Sequence, residues 1–144
     1  MLDHLKAIIN VLTAQGLDVY LQDAVKYDDV GYPTELEYPY LIVWTTSYRP
    51  TDEKALDDVA DDITATIGIT AVATTPQGAA IVAENAKQLL GATKYRRLDV
   101  PGRLAYIRWS AFQTAQVDRD VKLPDTNRHP AFQVDIYRLE STPT

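Results

Sequence analysis

Residues 62–74 alternate: Ile63, Ala65, Ile67, Ile69, Ala71 and Ala73 fall on one side, with Thr64, Thr66, Gly68, Thr70 and Thr74 on the other. A period of two predicts a half-buried strand, and its small side chains leave room for a close-packed helix. Residues 73–91, ATTPQGAAIVAENAKQLLG, then change to helical spacing. Ala79, Val82, Ala86, Leu89 and Leu90 make one apolar stripe, and Gln77, Glu84, Asn85, Lys87 and Gln88 take the other side. Both ends of that helix carry signals. Thr75 is placed to cap it, Pro76 suits the first helical position because its missing N–H has no partner there anyway, and Gly91 accepts the left-handed stop.

A second helix is predicted over residues 3–15, with Asp3 as cap, Leu5, Ile8, Ile9 and Leu12 as stripe and Gly16 as stop. Residues 19–25 set Val19, Leu21 and Val25 against Tyr20 and Gln22, a modest strand pattern. Residues 40–44, YLIVW, are continuously apolar, too short for a helix and rich in β-branched and aromatic types, which predicts a central strand covered on both faces and ended near Pro50. Residues 104–113 alternate Leu104, Tyr106, Arg108, Ser110 and Phe112 with Ala105, Ile107, Trp109 and Ala111. Residues 132–139 close the pattern as a strand with Phe132, Val134 and Ile136 on one face. Between these elements lie KYDDVGYPTELEYP (26–39), a loop or long irregular hairpin, a turn at Val100-Pro101-Gly102-Arg103, and a polar connection over 114–130. The order of the strands is left open, because the crossover between Ile63 and Trp109 is compatible with a parallel or an antiparallel return.

At 144 residues the chain is read as one domain, 1–144, long enough to bury roughly 70% of its unfolded surface. It has no cysteine, so thiol chemistry, disulfides and thiolate metal sites are excluded. The opening MLDHLKAIINVL lacks the features of a signal peptide, and no apolar run approaches the ~20 residues that span a bilayer. A net charge of −6 is the wrong sign for general binding to nucleic acid or anionic membranes. The nine tyrosines are read either as core-rim residues or as interface residues.

Candidate chemistry is sparse. Asp57, Asp58, Asp61 and Asp62 offer the oxygen ligands hard cations take, but their spacing misses the calcium-loop pattern and no glycine turns the chain, so a solvated acidic stretch is the expectation. Lys94, Arg96 and Arg97 form a basic cluster that either complements the preceding helix's C-terminal dipole or contacts an acidic partner. A nucleic-acid role through the same three residues predicts salt-sensitive DNA affinity. The two imidazoles, His4 and His129, have no companion motif; Asp118 and Asp120, with Asp135 farther on, offer a carboxylate group for acid/base or metal chemistry, but carboxylates are common in loops and a plain loop is the expectation. No nucleophile elbow, P-loop, dinucleotide fingerprint or zinc-protease motif occurs. The expectation is a protein without enzymatic activity, cofactor or metal, acting through its surfaces.

The order helix, strand, apolar strand, alternating strand into a TTP-capped helix, VPGR turn, strand, VDRDV loop ending in HP, and final FQVDIYRLES strand resembles the tail terminator (tail completion) proteins of long, non-contractile-tailed bacteriophages, especially those of actinobacterial hosts. Residues 69–91, 100–109 and 117–143 carry the resemblance. It implies an α+β subunit, a single mixed, largely antiparallel sheet of about five strands with two helices packed on one face. It further implies a ring, typically six-fold, that caps the tail tube at the head-proximal end of the virion, ends tube polymerisation and meets the head–tail connector protein. The implied partners are the chain itself, the tail tube protein and the connector, with no membrane contact, while DNA passes the lumen without specific binding. Because a closed head-to-tail ring needs two unlike patches, one is placed on Tyr27, Tyr32 and Tyr38 and the other on Arg119, Asp120, Lys122 and Arg128. Another neck subunit, or a small cellular ligand-binding domain, are the alternatives.

Overall fold

A computed structural model describes residues 2–22, 26–27, 33–34, 37–50, 62–92, 94–119 and 129–144, with the backbone alone at 26–27, 33–34 and 46–50. Its elements are α1 (Leu2–Thr13), β1 (Val19–Leu21), β2 (Lys26–Tyr27), β3 (Pro33–Thr34), β4 (Tyr40–Pro50), β5 (Ile63–Ala73), α2 (Pro76–Leu89), β6 (Arg96–Leu98), β7 (Arg103–Phe112), β8 (Gln116–Val117) and β9 (Ala131–Pro143). Seven strands form one sheet in the order β1-β4-β5-β9-β7-β6, with β8 also on β9, while β2 and β3 pair separately. Only β1 and β4 are parallel; every other pair is antiparallel. The fold is α+β with two helices on one face of a mixed, mostly antiparallel sheet.

The segment with the clearest pattern folds as its pattern dictates. On β5, Ala65, Ile67, Ile69, Ala71 and Ala73 are buried beneath the helices. Thr75 caps α2 by accepting a hydrogen bond from the Gly78 N–H at 3.0 Å, Pro76 opens the helix, and Gly91 takes φ +91° beyond its end. Ala79, Val82, Ala83, Ala86 and Leu90 are the buried residues of the stripe and its end. α2 packs on β5 and β9, and α1 on β1 and β4. Because β5 and β7 both run antiparallel to β9, which lies between them, they are parallel to each other. That settles the crossover as a split strand–helix–strand unit.

The sheet differs from the expectation of about five strands in several places. β1 spans Val19–Leu21, and Val25, expected in the same strand, lies outside the described residues. β4 extends beyond YLIVW to Pro50, which pairs with Ile63 at the end of the ladder, where a missing N–H costs little. YLIVW is not covered equally on both sides: Leu41 and Val43 are fully buried toward the helices, whereas Ile42 and Trp44 are half-buried on the other face. Arg96 and Arg97 belong to an edge strand that pairs with β7, anchored by buried Leu98. The polar connection 114–130 contributes β8, whose Gln116 and Val117 pair with Phe132 and Ala131. Finally, β9 spans 13 residues. It turns Asp135, Tyr137, Leu139 and Ser141 inward, leaving Phe132, Val134 and Ile136 half-buried on the opposite face.

Candidate interaction surface

The face of the sheet away from the helices has two unlike halves, each assembled by register. At one end, Tyr40 pairs with Val72, Ile42 with Thr70 and Trp44 with Gly68, and across β5 these meet Phe132, Val134 and Ile136. The Trp44 indole lies on the bare backbone of Gly68, where a Cβ would overlap its Cε2 and Cζ2 atoms. Its N–H donates to Thr70 Oγ1 at 3.0 Å. Tyr20 and Tyr40 meet edge to face at 5.7 Å between ring centroids, and Tyr38 and Tyr40 lie at 5.5 Å. Burial, with Tyr38, Tyr20 and Asp118 nearby, pushes the Tyr40 phenol up to about 12. Beside this cluster, Tyr38, Pro39, Ala73, Thr74, Gly78, Ile81 and Val82 line a groove of about 270 Å³, and Ile81 is 54% exposed.

The other half is polar and cationic. Successive rows across β5, β9 and β7 read Thr66, Arg138, Arg108 and Thr64, Glu140, Tyr106, and Arg97 on β6 stands opposite Tyr106. Arg138 Nη2 donates to Glu140 Oε1 at 3.0 Å. The Arg108 guanidinium sits 5.5 Å from the centroid of the Tyr95 ring, and Tyr95 meets Tyr106 at 6.5 Å. A register shift between Trp109 and Ala111 places Ser110 as the extra residue of a bulge, the local device by which a strand re-aims its side chains. Around it open two adjoining clefts. One, of about 290 Å³, is lined by Tyr95, Arg108, Trp109, Ser110 and Arg138. The other, of about 350 Å³, adds Thr64, Thr66 and Ile136 while sharing Ser110 and Arg138.

Of the residues singled out from sequence, Tyr38 lies in the aromatic cluster, and Arg119 is exposed just after β8. Tyr27 is on β2, and its side chain lies outside the described residues, as do Tyr32, Asp120, Lys122 and Arg128. The described ends of the two predicted patches converge, because Asp118, beside Arg119, is within electrostatic reach of Tyr40. The second distinct surface is the arginine half, of which the sequence had singled out Arg97; Arg96, opposite buried Ile107, falls on the other face of the sheet. Asp57, Asp58 and Asp61 lie outside the described residues, and Asp62 is exposed. Among the described residues, no three His, Asp or Glu side chains group as a metal site.

Two polar groups sit on the helix-covered face. Asp135 accepts from Gln133 Nε2 at 2.9 Å. Burial raises its pKa, and that hydrogen bond, the nearby Trp109 indole N–H and Lys87 partly offset the shift. Lys87 Nζ lies 4.0 Å from the centroid of the Trp109 ring. His4 Nε2 is 2.8 Å from Ser141 Oγ, and Arg103 Nε donates to the same oxygen at 2.6 Å. This resembles a Ser–His pair in composition, but His4 and Ser141 are each 2% exposed. It ties α1 to β9 and offers a substrate no approach. Compared with known proteins, the chain matches no family model and no curated protein.

Proposed function

We propose that the chain is a structural subunit of the tail-terminator type, closing into a ring that caps a phage tail tube and presents a surface to the head connector. The observation that supports the reading best is the presence of two unlike surfaces at opposite sides of one sheet. The aromatic cluster of Tyr20, Tyr38 and Tyr40 lies on the β1–β4 side, and the arginines Arg97, Arg108 and Arg138 lie on the β6–β7–β9 side. A closed head-to-tail ring needs such a pair of different patches, whereas a two-fold dimer uses one patch twice. Tyrosine and arginine are also the residue types enriched in interface cores. The helix-covered face supplies the rigid backing, with Ile8, Leu12, Leu41, Ile67, Ile107 and Leu139 fully buried.

The test is solution mass by light scattering after size exclusion over a range of concentrations, with negative-stain imaging of the heaviest species. Six copies of the 16.1 kDa chain give a ring of about 97 kDa with a central hole. Where the free chain is monomeric, purified tail tubes are expected to recruit it to one end. A chain that neither forms rings nor binds tubes overturns the proposal and returns the groove beside Tyr38 to consideration as a small-ligand pocket.

A further inference from the structure

Two guanidinium groups stand directly opposite each other on the outer face, Arg108 on β7 and Arg138 on β9. Like charges in opposed positions of an antiparallel pair are destabilising, the reverse of the ~0.2–1 kcal/mol that opposite charges contribute. Among the described residues the cost is relieved at one of them only. Glu140 holds Arg138 at 3.0 Å, while Arg108 has the face of Tyr95, a contact that attracts the cation without neutralising it. Arg97 adds a third cation opposite Tyr106 on the same face, leaving three guanidiniums to one carboxylate in a chain whose net charge is −6. The hydroxyls of Thr64, Thr66 and Ser110 border the clefts between them.

We propose that this cleft binds a carboxylate-bearing segment of a partner protein, with Arg108 and Arg138 holding the carboxylates and Tyr95 as the flanking wall. The planar fork of a guanidinium matches a carboxylate at two points. Glu140 already shows the geometry from within the chain, since its carboxylate is held by one of the two arginines on this same face. Arg108, exposed on the same face and lining the cleft, presents its guanidinium to a second carboxylate. The overall negative charge selects for a short acidic segment over a nucleic acid. A duplex brings one negative charge per ~1.7 Å and meets the repulsion of the whole chain, whereas a few carboxylates place charge only where the guanidiniums are. The proposal does not require the ring: it concerns the β6–β7–β9 side alone and holds for a monomer.

The experiment titrates the full ¹⁵N-labelled chain with a short Glu-rich peptide, and in parallel with inorganic phosphate and a short single-stranded DNA, at low ionic strength. The expected result is that the peptide shifts the Nε–H signals of Arg108 and Arg138, that high salt abolishes the shifts, and that R108Q and R138Q each weaken binding about tenfold, the loss of one charge-assisted hydrogen bond. Arg108 is exposed, so R108Q is expected to confine backbone amide changes to β7, the facing part of β9 and Tyr95. Shifts confined to other residues, unaltered affinity in R108Q, or tighter binding of phosphate or DNA than of the peptide would each overturn the proposal. Peptide binding that R108Q weakens, in a chain that neither forms rings nor binds tubes, upholds this inference while the ring reading fails.

Discussion

Acid should loosen this fold through His4. The imidazole is 2% exposed, and Ser141 Oγ, 2.8 Å from Nε2, already receives a hydrogen bond from Arg103. The hydroxyl proton is therefore best spent on a neutral Nε2, and protonating the ring would set a second cation against the same oxygen. Nδ1 has no hydrogen-bond partner. Burial first, then nearby positive charge including Arg103, lowers the pKa from 6.5 to about 4, against a smaller opposing pull from Asp3. Between those values the unfolded chain binds the proton and the folded chain does not. Stability therefore rises with pH in that window and is lost as pH falls through it. The gap is equivalent to about 3 kcal/mol, at about 1.4 kcal/mol for each pH unit, a large share of the ~5–15 kcal/mol typical of a domain. Asp135 works in the other direction, since burial raises its pKa and protonation at low pH then favours the folded state. The contribution of His4 is isolated by comparing wild type with H4Q, whose neutral amide reaches Ser141 but does not titrate. Urea unfolding from pH 7 to pH 4 should show wild type losing about 3 kcal/mol more than H4Q. Parallel curves for the two proteins, or an imidazole NMR titration placing folded His4 near 6.5, would refute the reasoning.

Three further outcomes are expected. G68A should cost about 1–3 kcal/mol, because the new methyl group overlaps the Trp44 indole; in a double-mutant cycle the cost should shrink when Trp44 is already Leu, and additivity would contradict the contact. T75A removes the acceptor of the Gly78 N–H and should lower stability by about 1 kcal/mol in the same urea assay. Y137F should be neutral or stabilising by about 1 kcal/mol, since the Tyr137 hydroxyl is fully buried without a hydrogen-bond partner. A clear loss of stability in Y137F would mean that the hydroxyl is satisfied in solution.

The stretch from Ile63 to Gly91 was readable because its signals are local: a period of two, then 3.6, a threonine cap, a proline at the first position and a glycine at the stop. β6 was not, since three residues are too few to show a period, and their strand state comes from pairing with residues 105–107. On β9 the three apolar residues share one face as their alternation indicates, but which face meets the helices was not legible. Phe132, Val134 and Ile136 are its most apolar set, yet the opposite set faces the helices. Asp135 finds Gln133 there, and Ser141 finds His4 and Arg103, so polar residues are tolerated in the buried layer. The arginine surface was visible in part. Of the run Lys94, Arg96 and Arg97, Arg97 stands on it, but Arg108 and Arg138 are single charges within two separate alternating patterns, and only the strand register sets them side by side.

β9 follows every other described strand, yet it lies between β5 and β7. As the chain leaves the ribosome at about 5–20 residues per second, β1, β4 and β5 on one side and β6 and β7 on the other are finished before the strand that joins them. Each half then carries an open hydrogen-bonding edge, the kind of surface through which nascent chains pair with the wrong neighbour. Closing both edges at once with residues 131–143 makes contacts distant in sequence, which slows folding. The interval between synthesis of β7 and insertion of β9 is therefore the time at which both inner edges of this sheet stand open to wrong pairing.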